Sequence, residues 1–174
     1  MSICPGAGAI AVVGFMGAGK STAAQCAAEA LGIEAIDVDR VIEERLGCSI
    51  ERVFAEHGEP AFREEEERIT LELLERSRPA VLALGGGAAG HPATRALLAA
   101  VPVVYLRVGY AEALARVGGD TGRPMLARPD VEALHAERQA VYASVSTVTV
   151  DTDGRLPEEI ALDVLSSLDG PLSR

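Results

Sequence analysis

The chain has 174 residues, and its 26 acidic against 16 Lys and Arg side chains give a formal net charge of -10. A chain this acidic repels a polyanion unless one face is strongly basic, and no basic block occurs, so a nucleic-acid-coating protein is excluded. Hydrophobic residues make up 48% while aromatics are 3% and tryptophan is absent, which specifies one core of Ala, Val, Leu and Ile within a single domain spanning residues 1–174.

Three cysteines, Cys4, Cys26 and Cys48, are odd in number and form no C-x-x-C pair, so neither a disulfide framework nor a zinc knuckle is specified. A reducing cytoplasm is the expected compartment. Residues 1–19 carry no charged side chain, yet Pro5 and the glycines at 6, 8, 14, 17 and 19 interrupt the run and no cationic stretch precedes it. Neither a signal peptide nor a membrane span is therefore expected.

In chain order, Ile10–Val13 is apolar and mostly β-branched, the pattern of a strand buried on both faces of a parallel sheet. The Ala-rich run Ser21–Leu31 predicts a helix stopped by Gly32. Ala35–Asp37 reads as a strand and Val38–Leu46 as a helix. Ser49 caps another helix that stops near Gly58, and Glu59–Arg76 follows as a long one. Ala80–Leu84 supplies a strand, Pro92–Ala100 a proline-started helix, Val103–Leu106 a strand, and Ala111–Val117 and Val131–Tyr142 helices. Thr147–Val150 and Pro157–Leu168 close the chain as strand and helix. Five strands alternating with helices specify a layered α/β domain with a mostly parallel sheet.

Between the first strand and first helix, Gly14-Phe15-Met16-Gly17-Ala18-Gly19-Lys20-Ser21 fits G-x-x-x-x-G-K-S/T, in the context that defines a phosphate-binding loop. Glycines let the main chain curl so that its N–H groups face phosphate oxygens, and the following helix adds its positive end. Lys20 is the only lysine in the chain. It suits the β- and γ-phosphates as a compact point charge, and the Ser21 hydroxyl suits Mg2+. Guanine recognition of the small-GTPase kind needs N-K-x-D, and the chain has no asparagine, so an adenine nucleotide is expected.

Asp37 and Asp39 flank Val38 at the carboxyl end of the second strand, where ligands bind in parallel sheets. Extended backbone would put both on one face, Asp37 in the Mg2+ shell and Asp39 as proton acceptor. The alternative is that Asp39 caps a helix beginning at Arg40. Arg63 opens a very acidic helix in which Glu66 and Glu67 are its i+3 and i+4 neighbours, able to aim its fork at a substrate carboxylate or merely to form a solvated face. Gly85, Gly86 and Gly87 follow a strand and allow close approach of main chain to a ligand. The stretch Arg116–Arg128 combines glycines, a proline and arginines, as a lid over about residues 117–129 would, with Arg123 facing the transferred phosphoryl group. His57, His91 and His135 show no metal-ligand spacing.

Together these segments resemble the shikimate kinase family, within the nucleoside-monophosphate-kinase-like P-loop proteins. The resemblance runs through most of the chain: GFMGAGKST at Gly14–Thr22, Asp37 and Asp39, the F-x-x-x-G-E-x-x-F-R-x-x-E pattern from Phe54 to Glu66, Gly85–Gly87, and Arg123 with Pro124. It implies a three-layer α/β/α P-loop kinase fold with a five-stranded parallel sheet and a mobile lid. It also implies phosphorylation of the 3-hydroxyl of shikimate by ATP with Mg2+, on the way to aromatic amino acids, by a cytoplasmic monomer without nucleic-acid or membrane partners. On this resemblance Asp39, Arg63, Gly85, Gly86, Gly87 and Arg138 hold shikimate; Lys20, Asp39 and Arg123 serve the chemistry; Ser21 and Asp37 serve the metal. Gly17, Ala18, Gly19, Lys20, Ser21, Thr22 and Arg123 hold the phosphates, while Arg116 and Arg155 with Pro157 lie on the adenine side. Arg138 precedes Tyr142 in the family's R-x-x-x-Y pattern. The rival readings are a gluconate kinase-like or nucleoside-monophosphate kinase-like enzyme and a noncatalytic ATP-binding module; Arg63, the triple glycine, Asp39 and Arg123 argue against them.

Overall fold

Strand β1 (Ala9–Gly14) is buried along its whole length because it is the middle strand of five. A computed structural model describes residues 8–118 and 128–169. Within them β2 (Glu34–Asp37), β3 (Ala80–Ala83), β4 (Val103–Arg107) and β5 (Val148–Asp151) join β1 in one parallel sheet of order β2-β3-β1-β4-β5. The central strands are built from Ala, Val, Leu and Ile, the composition of strands covered on both faces.

Helices surround the sheet. Helix α1 (Lys20–Leu31) follows β1, α2 (Val38–Leu46) follows β2, and α3 (Ile50–Leu74) leads into β3. A short 3-10 turn (Ala88–Gly90) and α4 (Pro92–Leu98) come next, then α5 (Tyr110–Val117), α6 (Val131–Val145) and α7 (Pro157–Asp169). Helix α1 buries Ala23, Ala24, Ala27 and Ala28 and packs on α7 and β3; such small side chains let backbones approach closely without aromatic filler.

The expected strands and helices are all present, with ends displaced by up to three residues. Strand β4 continues to Arg107 because that residue pairs in register with Asp151 of β5, the two side chains forming an ion pair of 2.5 Å. The expected break at Gly58 is a kink within α3: Gly58 takes φ 80°, and Pro60 just beyond it lacks the N–H that would continue the helix. A fresh helical stretch thus begins immediately before Arg63. Arg123, Pro124 and residues 119–127 of the expected lid lie outside the described residues.

Topology gathers the loops. After β1 the chain crosses to β2, returns through β3 and then moves to the opposite side through β4, so the winding reverses at the carboxyl end of β1. Register places Asp37 level with Ala83, and Ala83 level with Val12, so the segments leaving β1, β2 and β3 emerge at one edge of the sheet.

Candidate active site

The loop after β1 has the form of an anion cradle. Gly17 and Gly19 take φ of 77° and 89°, and a side chain on Gly19 would point into open space. The main-chain N–H groups of Gly17 and Gly19 donate to no main-chain carbonyl among the described residues. Lys20 begins α1 and curls back, donating from Nζ to Phe15 O at 3.0 Å, which holds its ammonium over the loop. These are the requirements for nucleotide phosphates: unspent N–H donors, a helix amino end and one point charge.

Asp37 ends β2 and does two tasks at once. One oxygen accepts from the N–H groups of Asp39 (3.1 Å) and Arg40 (3.4 Å), capping α2, while the other accepts from the Ser21 hydroxyl at 2.5 Å. The helix therefore starts at Val38 with Asp37 as its cap, correcting both the extended Asp37–Asp39 pair and the alternative of Asp39 capping at Arg40. Asp39 lies in the first turn of α2 and still lines the same cleft as Asp37, Lys20 and Ser21. A hydroxyl and a carboxylate in contact beside a phosphate cradle form a hard-oxygen donor pair, which fits Mg2+ completing its shell with phosphate oxygens and water.

This cleft, of about 410 Å3, continues past Asp39 to the glycine turn after β3. A side chain on Gly85 would come within 2.8 Å of Asp39 Oδ1, and one on Gly87 within 2.6 Å of Arg63 Cζ. A side chain at either glycine would have to displace these charged groups. Arg63 donates to Glu66 at 2.5 Å and to Glu59 through Nε (3.2 Å) and Nη2 (3.1 Å). Its expected neighbour Glu67 instead lies beside His91, 3.7 Å from Nδ1. Burial works to lower the Arg63 pKa, but Glu66 and Glu59 outweigh it and hold it above the ordinary arginine range. Glu66 itself is 1% exposed; burial works to raise it, while His91 and Arg63 prevail and hold it below the usual carboxylate range.

Arg138, on α6, enters from another side. Its guanidinium carbon lies 6.0 Å from the Phe15 ring centre, and Tyr142, one turn on, donates to Gly86 O at 2.5 Å. Among the described residues no carboxylate forms an ion pair with Arg138, and burial pulls its pKa below the arginine range. A half-buried guanidinium with no ion-paired carboxylate can offer its N–H groups to an anionic ligand in the cleft.

On the opposite side of the loop lies a second hollow of about 270 Å3, lined by Gly17, Ala18, Gly19, Thr22, Arg116, Arg155 and Pro157 among others. Arg116 donates to Gly17 O (3.2 Å), Thr152 Oγ1 (3.1 Å) and Thr152 O and pairs with Glu112 at 3.0 Å. Arg155 donates to Asp151 O (2.9 Å) and Glu159 O (3.2 Å) and pairs with Asp163 at 2.8 Å.

The family model for shikimate kinase matches residues 16–169, nearly the whole chain. The chain belongs to the shikimate kinase family. A shikimate kinase from Thermobifida fusca is 46% identical over 153 residues, covering 86% of this chain and 88% of the relative, and one from Mycobacterium tuberculosis H37Ra is 44% identical over 164 residues, covering 92% and 93%. Among solved structures, shikimate kinase from Acinetobacter baumannii in complex with shikimate superposes with a TM-score of 0.84 at 34% identity, covering 91% of this chain and 90% of that one.

Of the positions that the family resemblance implies, Lys20, Ser21, Asp37, Asp39, Arg63, Gly86, Gly87 and Arg138 line one cleft, and Gly85 abuts it through Asp39 and Glu66. Gly17, Ala18, Gly19, Thr22, Arg116 and Arg155 line the other. Sequence reasoning missed Glu59 and Arg128. Glu59 bridges Arg63 to Arg128, whose Nη1 lies 3.0 Å from Glu59 Oε2. The Glu59–Arg63 spacing of four was the available signal for the first contact.

Proposed function

We propose that the chain transfers the γ-phosphoryl group of ATP to the 3-hydroxyl of shikimate, giving shikimate 3-phosphate and ADP. The observation that carries this reading is Arg138, half-buried at the acceptor cleft with no ion-paired carboxylate among the described residues, where the carboxylate of shikimate would supply a partner. Membership of the shikimate kinase family supports it independently.

In this reading ATP enters with its phosphates on the N–H groups of residues 17–22 and its base in the hollow between Arg116 and Arg155. Lys20 sits over the β- and γ-phosphates. Arg63 and Arg138 grip the acceptor's carboxylate and so fix which hydroxyl faces the nucleotide. Asp39, at the boundary of the two ligands, takes the proton of that hydroxyl; the hydroxyl oxygen bonds to the γ-phosphorus as the bond to the bridging oxygen breaks, and ADP departs. Ser21 and Asp37 would hold Mg2+, which supplies charge neutralisation at the phosphates. Arg123, which stands in the family's lid-arginine position, is assigned to the transferred group. Because little covalent work falls to the protein, positioning and charge account for most of the acceleration.

No helix among the described residues is long and apolar enough to cross a membrane. Cys26 and Cys48 are free; the assignment of the chain as a cytoplasmic monomer rests on the family resemblance. ADP release from purified protein, ATP and Mg2+ over an acceptor panel tests the assignment. Shikimate is expected to stimulate release far above gluconate or nucleoside monophosphates; stimulation by one of those instead replaces the substrate, and stimulation by none leaves the noncatalytic module.

A further inference from the structure

His91 has no part in the chemistry described so far. It stands at the start of α4, where its side chain makes no capping hydrogen bond. Its ring instead lies against α3, with Nε2 3.6 Å from Glu66 Oε2 and Nδ1 3.7 Å from Glu67 Oε2. Both separations are longer than a hydrogen bond, and Nε2 is buried with no hydrogen-bond partner among the described residues. The oxygen it faces is the one that Arg63 Nη1 already holds at 2.5 Å.

The charged groups around the ring are few. Glu66 and Glu67 of α3 face it directly; behind Glu66 stand Arg63 of the same helix and Arg138 of α6. A neutral imidazole carries one N–H and can donate to only one of two carboxylates, turning a lone pair on the other, whereas an imidazolium donates to both. Proton uptake by His91 therefore has two consequences. It gives Glu66 Oε2 a competing donor, which loosens its hold on Arg63 Nη1 and frees that N–H for a ligand. It also adds positive charge beside a site where Glu59 and Glu66 otherwise offset Arg63 and Arg138.

We propose that His91 is a positioning residue for the acceptor: in its protonated form it turns Arg63 from its internal carboxylates toward the carboxylate of the substrate. This rests on the acceptor assignment above. Acceptor binding thereby becomes coupled to proton uptake by a group that touches neither substrate.

Shikimate titrated calorimetrically into the wild-type protein at pH 7, in two buffers of different ionisation heat, is expected to show net proton uptake. In steady state the shikimate KM should be about fivefold lower at pH 6 than at pH 8, the size of one added unit charge near a partly solvated site, with the ATP KM unmoved. In His91→Gln, whose amide is the same at every pH, the uptake should vanish and the shikimate KM should stay at the wild-type pH 8 value, with kcat retained. A wild-type protein with a flat KM profile and no proton uptake overturns the proposal even if the variant does not fold. So does a variant that keeps the wild-type profile, or one that shifts kcat and the ATP KM as much as the shikimate KM. Absence of any shikimate-dependent turnover in wild type overturns the acceptor assignment instead, so the two failures are distinct.

Discussion

The cleft on the Asp39 side of the phosphate loop and the hollow on its Arg116 side both use arginine, under different constraints. In the hollow, Arg116 and Arg155 donate to main-chain carbonyls and pair with a carboxylate each, so most of their N–H groups are already engaged. That suits an uncharged ring system. In the cleft, Arg63 is shared between Glu59 and Glu66 while Arg138 has no acidic partner among the described residues, so charge remains available for an anion. What an arginine does is set by what already takes its N–H groups.

The largest effects should fall where the two spaces meet. Lys20→Met is expected to lower kcat roughly a thousandfold and Asp39→Asn roughly a hundredfold, since both act on charge that develops during transfer; single-turnover measurements giving near-normal rates would remove their roles. Next come the two cleft arginines, which should part company. Arg138→Met should raise the shikimate KM roughly thirtyfold without lowering the unfolding midpoint in urea, because it removes a half-buried charge that has no ion-pair partner among the described residues. Arg63→Met should weaken acceptor binding and also cost about 3 kcal/mol of stability, because Glu66 would stay buried with its main cation gone. Equal stability losses would erase the distinction between them.

On the other side, Arg116→Ala should raise the ATP KM about fivefold through loss of stacking and leave the shikimate KM unchanged. The smallest effect is on pH. Glu66 is held below the ordinary carboxylate value near 4.3 despite its burial, so its contribution to stability is complete above that value and is lost as the pH falls through its depressed folded pKa. Urea unfolding between pH 6 and pH 3 should show this loss in wild type and a reduced one in Glu66→Gln.

Features written in consecutive residues are legible from sequence: the loop at Gly14–Ser21, the Asp37/Asp39 pair and the triple glycine each announce themselves by spacing. The strands are equally legible, because burial on both faces leaves runs of Ala, Val, Leu and Ile. What sequence does not reveal is which way a helix faces. Glu67 seemed as good a partner for Arg63 as Glu66, and only the packing of α3 against the turn before α4 separates them. Arg128 reaches Glu59 from 69 positions away, and His91, without metal spacing, looked idle; long-range charge pairs leave no local pattern. The cap was misread for a related reason, since Asp37 and Asp39 are equally plausible until the first turn of α2 is fixed.

The ammonium curled over Phe15 O belongs to the only lysine in the chain. Amine-selective acylation therefore has just one side-chain target in the whole protein, and that target sits where the nucleotide binds. The label found at Lys20 by peptide mapping, kept separate from label on the α-amine, becomes a direct count of empty nucleotide sites, readable without any assay of turnover.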